Sequence, residues 1–247
     1  MLKFDLTPDA FVRAALLHLR DGVEIIAGDE QTLFHPALDT DDPAVHRRFL
    51  QLLESERWGS ALGEGRIRSL LFFCLRHRSR NWALMVSALA ELLERGPEYL
   101  LGGAGEASHK LLAMRSQVVR EIHRLTGFTR LTPVQELLVG EAPTRHLTGD
   151  LVALGLARRN PGTPLVLLTP QGDWLALKGR VRPVDGAPFR SHLDKDSFRR
   201  TWLTYYRSQF IDERNNPRHA ARAIPREYWQ WLAEGEELDK ARRQKRE

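Results

Sequence analysis

The sequence predicts an α+β fold: an N-terminal β-α-β followed by helices, a small central mixed sheet, and aromatic-rich C-terminal helices. Three features carry this prediction. Apolar residues recur every three to four positions through most of the first half of the chain, the period shortens toward two between residues 128 and 177, and Trp and Tyr return at helical spacing between residues 197 and 234. With 247 residues and 42% hydrophobic content, the chain holds enough apolar material for one large domain or two smaller ones.

The opening LKFDL alternates like an edge strand, and VEIIAG reads as a second strand. Between them Thr7 suits an N-cap with Pro8 at the first helical position, and Phe11, Ala15, Leu16 and Leu19 form one apolar stripe ending near Gly22. After a polar turn at 39–43, helices are predicted over 43–56, 65–76 and 81–95, the last stopped by Gly96 and Pro97. Residues 102–108, GGAGEAS, read as a flexible linker without a core residue, dividing an N-terminal region, 1–101, from a C-terminal region, 108–234. That glycine run fits neither a P-loop, which needs a GK[ST] ending, nor the GxGxxG dinucleotide fingerprint.

A helix follows over 108–125, with Leu111, Val118, Val119, Ile122 and Leu125 as its apolar stripe and Arg115 in the middle of that face. Arg115 either snorkels or pairs with a carboxylate, or it borders a phosphate-binding groove with Arg120, His123 and Arg124. Short strands are predicted over 128–131, 136–139, 164–169 and 174–177, with a helix over 147–159 and a polar connector over 189–195. In 197–234, Phe198, Trp202, Tyr205 and Gln209 share one helical face with Tyr206 at its edge, and Arg200, Thr204 and Arg207 share the other. Asn216 and Pro217 start another helix, and Pro225 ends it or opens the next, which carries Tyr228, Trp229 and Leu232. Residues 235–247 read as a basic disordered tail.

Composition narrows the function classes. The longest apolar runs, at 69–75 and 165–168, are far too short to span a bilayer, and the N-terminal residues lack a hydrophobic signal core, so a cytoplasmic protein without membrane partners is expected. The single cysteine, Cys74, lies in an apolar run; it reads as a buried structural thiol and rules out intrachain disulfides and cysteine-based zinc sites. With no HExxH and no acidic metal cluster, neither a metal nor another cofactor is expected. A net charge of +5 and a pI near 9.6 suit an anionic partner, because Lys and Arg gain affinity by releasing counterions from phosphates. Aromatic faces can stack on unpaired bases for about 1–3 kcal/mol each. The same Trp and Tyr at helical spacing can instead close a core.

Several stretches carry a family resemblance. They are MRSQVVREIHRLTGFTRL at 114–131, the HL at His146, the ARR at 157–159 before a strand ending LTP at Leu168 to Pro170, WLTYYRSQFIDERNN, and IPREYWQWLAE. Together they resemble an uncharacterised bacterial family named "probable DNA metabolism protein", with the patterns W-x-x-Y-Y-x-S-x-F and P-x-x-Y-W-x-x-L-x-E. Here these are met by Trp202, Tyr205, Tyr206, Ser208 and Phe210, with Arg214 a few residues on, then by Pro225, Tyr228, Trp229, Leu232 and Glu234. The resemblance implies a DNA repair setting, with a radical-SAM repair protein and a uracil-DNA glycosylase, fused in some members, as partners. This sequence runs only 13 residues past Glu234, so base excision is expected of a partner. Two functions follow as expectations. One is a DNA repair accessory that binds DNA or a repair enzyme through Arg115, Arg120, His123, Arg124, Arg158, Arg159, Arg200, Arg207 and Arg214. The other is a glycosylase- or nuclease-like enzyme whose polar site holds His123, Tyr206, Ser208 and Asp212.

Overall fold

The computed structural model describes residues 1–28, 38–193, 198–209, 224–232 and 234–244, without the side chains of 198–200, 206, 241, 242 and 244. The protein is α+β, and its contacts divide it into two compact units, Met1–Arg120 and Glu121–Glu247. The division falls inside one long helix.

In the first unit, strand β1 (Leu2–Phe4) pairs in parallel with β2 (Ile25–Ala27) and with a short β3 (Leu38–Asp39), and helix α1 (Pro8–Asp21) makes the predicted β-α-β crossover. Local chemistry sets the limits of α1. The Thr7 hydroxyl accepts the Ala10 amide at 3.3 Å, Pro8 starts the helix, and Gly22 ends it in the left-handed conformation that costs glycine nothing. Helices α2 (Pro43–Ser55), α3 (Gly65–Leu75) and α4 (Trp82–Arg95) follow, capped at their N-termini by Asp42, for α2, and Asn81, for α4. Their apolar faces join α1 and β1 in one core, where Phe4 meets Phe11 and Trp82 edge-on at 5.5 and 5.4 Å.

Residues 102–108 are not a flexible linker. A short α5 (Pro97–Gly102) and a left-handed Gly103 lead straight into α6 (Glu106–Phe128). Ala107 and Ser108 are buried, and their amides donate to the Glu91 carboxylate at 3.0 and 2.9 Å. Small residues mark close approach here, with the helix start tied down by a carboxylate from α4.

The second unit is built on a five-stranded mixed sheet in the order β4-β5-β6-β7-β8. The strands are β4 (Leu131–Val134), β5 (Leu137–Glu141), β6 (Leu165–Leu168), β7 (Asp173–Leu177) and β8 (Arg180–Val184). Only β5 and β6 are parallel, joined by helix α7 (Gly149–Arg159); the other neighbours are antiparallel. One face of the sheet packs with α7 and the end of α6 through Leu125, Val152, Leu156, Leu165 and Leu167. The other buries Val139, Val166 and Leu168 against Phe189 and Leu193 of α8 (Ala187–Leu193).

Four local readings are corrected. Residues 128–130 complete α6 and its exit, so β4 begins at Leu131. β8 is an additional strand; Arg, Pro and Arg at 180, 183 and 182 hide it from a hydropathy pattern but suit an edge, where Pro183 loses no ladder bond. The polar connector is α8, started by Asp185, which accepts the Ala187 amide at 3.0 Å. The tail is helical from Gly235 to Gln244 (α10), because Glu236 and Glu237 suit its N-terminus and Asp239 pairs with Arg243 at 2.7 Å one turn on. Helix α9 (Phe198–Ser208) matches its prediction, whereas Arg226–Tyr228 is a single 3-10 turn. The helix expected at Asn216 lies outside the described residues.

Candidate nucleic-acid interface

The residues proposed from the sequence are distributed over both units. In the first, Arg115 is half-buried with its guanidinium 5.8 Å from the Phe73 ring centre, while Arg120 is exposed. In the second, His123 is exposed and Arg124 half-buried. Arg158 and Arg159 are exposed at the C-terminal end of α7, and Arg159 donates to the Thr126 carbonyl at 2.8 Å. Arg207 is exposed and pairs with Glu237 of α10 at 2.7 Å. The Ser208 hydroxyl donates to the Tyr205 carbonyl at 2.7 Å. The side chains of Arg200 and Tyr206, together with Asp212 and Arg214, lie outside the described residues.

The aromatic block divides. Tyr228 and Trp229 are buried, and the Trp229 indole donates to the Ile224 carbonyl at 2.9 Å. Tyr205 is 56% exposed. Trp202 is half-buried with Arg130 over its ring at 4.3 Å, and its indole donates to Glu234, which also pairs with Arg130 at 2.5 Å. A tryptophan already covered by a guanidinium is a packing residue, so among the described side chains of this helix Tyr205 is the aromatic with ring surface facing water.

A buried polar cluster surrounds Glu121, which the sequence motifs do not single out. Its carboxylate is buried on α6 and accepts the amides of Arg145 and His146, each at 3.0 Å, and the Thr148 hydroxyl at 2.7 Å. It thereby fixes the loop between β5 and α7. The Thr144 hydroxyl meets the Gln171 side chain, which donates back to the Thr144 carbonyl at 2.8 Å, so the loops after the parallel strands are joined to each other. Burial raises the Glu121 carboxyl above its ordinary range, against the opposing pull of these donors. Tyr228 is pushed up to about 12, first by burial and then by the nearby carboxylates of Glu121 and Glu227. Arg145, which pairs with Glu227 at 2.7 Å, and Arg124 oppose that shift. Every oxygen of Glu121 is engaged in holding the loop, so the group positions backbone and is not a free base. Its signal was present in the sequence: it is the only acidic residue in the basic-apolar stretch 114–131.

Residues 79–234 match the family model of a domain of unknown function, DUF4130. The chain belongs to the DUF4130 family. The match spans the Glu121 cluster, the whole five-stranded sheet, and the Arg130, Trp202 and Glu234 contacts. No curated protein and no solved structure matches the chain. Among the described residues of this DUF4130 protein, no group of three His, Cys, Asp or Glu is placed to hold a metal ion. No described helix is long and apolar enough to cross a membrane.

Proposed function

We propose that the protein is a DNA repair or DNA metabolism accessory that binds DNA through a basic surface and works beside a repair enzyme. The observation that carries this reading is the exposure of Arg120 in the first unit and of Arg158 in the second, neither of which forms an ion pair among the described residues. A cation without a carboxylate partner is free to replace a counterion on phosphate. The net charge of +5 points to the same class of partner. The sequence motifs add the repair setting through their family resemblance, and with it a radical-SAM protein and a uracil-DNA glycosylase as the proposed neighbours.

The test is fluorescence anisotropy of a labelled duplex and a labelled single strand titrated with the full chain at rising salt. Binding is expected at roughly micromolar concentration and should weaken linearly in log–log form as salt increases from roughly 50 to 200 mM. An absence of binding at the lower salt, or an affinity independent of salt, overturns the proposal. Addition of a purified radical-SAM or glycosylase partner to the same titration reads out the accessory role as a tighter ternary complex.

A further inference from the structure

We infer that the amino-terminal edge of the five-stranded sheet is the surface that takes the phosphate backbone of duplex DNA, through Arg158, Arg159, Lys178, Arg180 and Arg182. The inference rests on the DNA-binding reading above and assigns it a face. The acidic and the unpaired basic residues of the sheet, its turns and α7 fall mostly at opposite ends of the strands. At the carboxyl ends of β5 and β6 stand Glu141, Asp150, Asp173 and Asp185, with Arg145 paired to Glu227. At the opposite ends stand Arg158 and Arg159, where α7 finishes, and Lys178 and Arg180, in the turn from β7 to β8. Arg182 follows two residues along β8, on the same face as Arg180 and about 7 Å further on. The one carboxylate at this edge, Glu136, is in the β4–β5 turn at the other end of the strand order.

The five cations are exposed and make no ion pair among the described residues; Arg159 alone is engaged, through one nitrogen on the Thr126 carbonyl. By contrast, Asp173 at the carboxyl end is paired with Arg190 at 3.1 Å. α7 packs across β6, β7 and β8 and finishes at the end of the strands that carries the hairpin; Arg180 and Arg182 lie on the sheet face away from α7, with Leu175 and Val184, so the two basic groups share the edge and not a face. The hairpin tip adds a second indication. Lys178 and Gly179 have φ of 50° and 75°, the two positive values of a type I′ turn, whose first position favours Asn, Asp or Gly. A lysine there is conformationally costly and places an ammonium at the furthest point of the edge. Charges on an edge strand also discourage pairing with another chain, but that role makes no demand on the end of α7.

Each phosphate contact contributes about 0.9 to the slope of log affinity against log salt, so five contacts predict a slope of about −4.5 on duplex DNA. The combined variant Lys178→Asn, Arg180→Gln and Arg182→Gln should reduce it to about −1.8, which is a loss of about 2.7. A control in the first unit, Arg47→Ala, Arg66→Ala and Arg68→Ala, removes the same charge and should leave the slope in place. Lys178→Asn alone separates binding from folding: Asn tolerates positive φ, so the melting temperature should hold or rise while the slope falls by about one. Arg180→Lys with Arg182→Lys should retain the slope. If wild type shows the salt-dependent binding and the triple edge variant binds identically, the edge assignment is overturned and the DNA-binding reading survives. If wild type ignores the duplex, both fail. Capture by phosphatidylserine vesicles with no binding to the duplex likewise overturns both in favour of a membrane surface.

Discussion

Replacing Glu121 by alanine removes the acceptor for three donors at once, and the structure sets the size of the loss. The His146 amide is buried, so stranding it costs about 1–3 kcal/mol. The Thr148 hydroxyl can turn fully to the His146 carbonyl, already 3.4 Å away, and loses less. The Arg145 amide is only partly buried and can recruit water. Deleting a buried carboxyl also relieves its desolvation, which leaves a net cost of about 2–4 kcal/mol. Glu121→Gln retains the oxygen that serves His146 and Thr148 and turns its amide toward Arg145, so it should cost about 1 kcal/mol. Because burial raises this carboxyl above 4.5, the folded state holds the proton more tightly than the unfolded chain. The stability it adds is complete below that value and declines as pH rises through the folded pKa; the Gln variant lacks this slope. Urea melts at several pH values, with hydrogen exchange at the His146 amide as the local readout, measure all three quantities. An alanine variant within 1 kcal/mol of wild type, or a glutamine variant worse than alanine, would refute the positioning role.

Other expectations follow from the same contacts. Glu234→Ala should cost about 1–3 kcal/mol in a thermal melt, since Arg130 is one-third exposed and can regain water, and Glu234→Gln less, because its carbonyl still accepts from Arg130 and Trp202. Gly235→Ala places a methyl 1.6 Å from the Trp229 carbonyl oxygen, so it should displace α10 and lower stability by roughly 2–4 kcal/mol, seen by denaturation. Cys74 is fully buried and its thiol is pushed up to about 12 by burial. It should resist a thiol reagent at neutral pH in the native protein and react promptly in denaturant; fast native labelling would contradict that environment.

The first unit was legible because its signals are local. Thr7 with Pro8, Asn81 at the start of α4 and the stripe Phe11, Ala15, Leu16 each state their structure within one or two turns. The mixed sheet was legible as a kind and less so in extent: β8 carries the pattern of a surface, and α8 shows only Phe189 and Leu193, one helical turn apart. Glu121 escaped because its partners, 145 to 148, lie some 25 residues away and two of them are backbone amides, which no side-chain motif encodes.

The recurring motif residues now divide by physical role. Trp202 and Glu234 come from two separate motifs and Arg130 from a third, yet they meet in one contact: a guanidinium held by the carboxylate and spread over the indole. Tyr228, Trp229 and Leu232 are buried in the same unit. Among the described motif residues, Tyr228, Trp229, Leu232 and Glu234 are thus buried and close the core, whereas Tyr205 and Ser208 face solvent. Exposed cations stand both inside the motif stretches, at Arg158 and Arg159, and outside them. At the amino edge of the sheet, Lys178, Arg180 and Arg182 belong to none of them, and their charge is not consumed by any contact that holds the fold together.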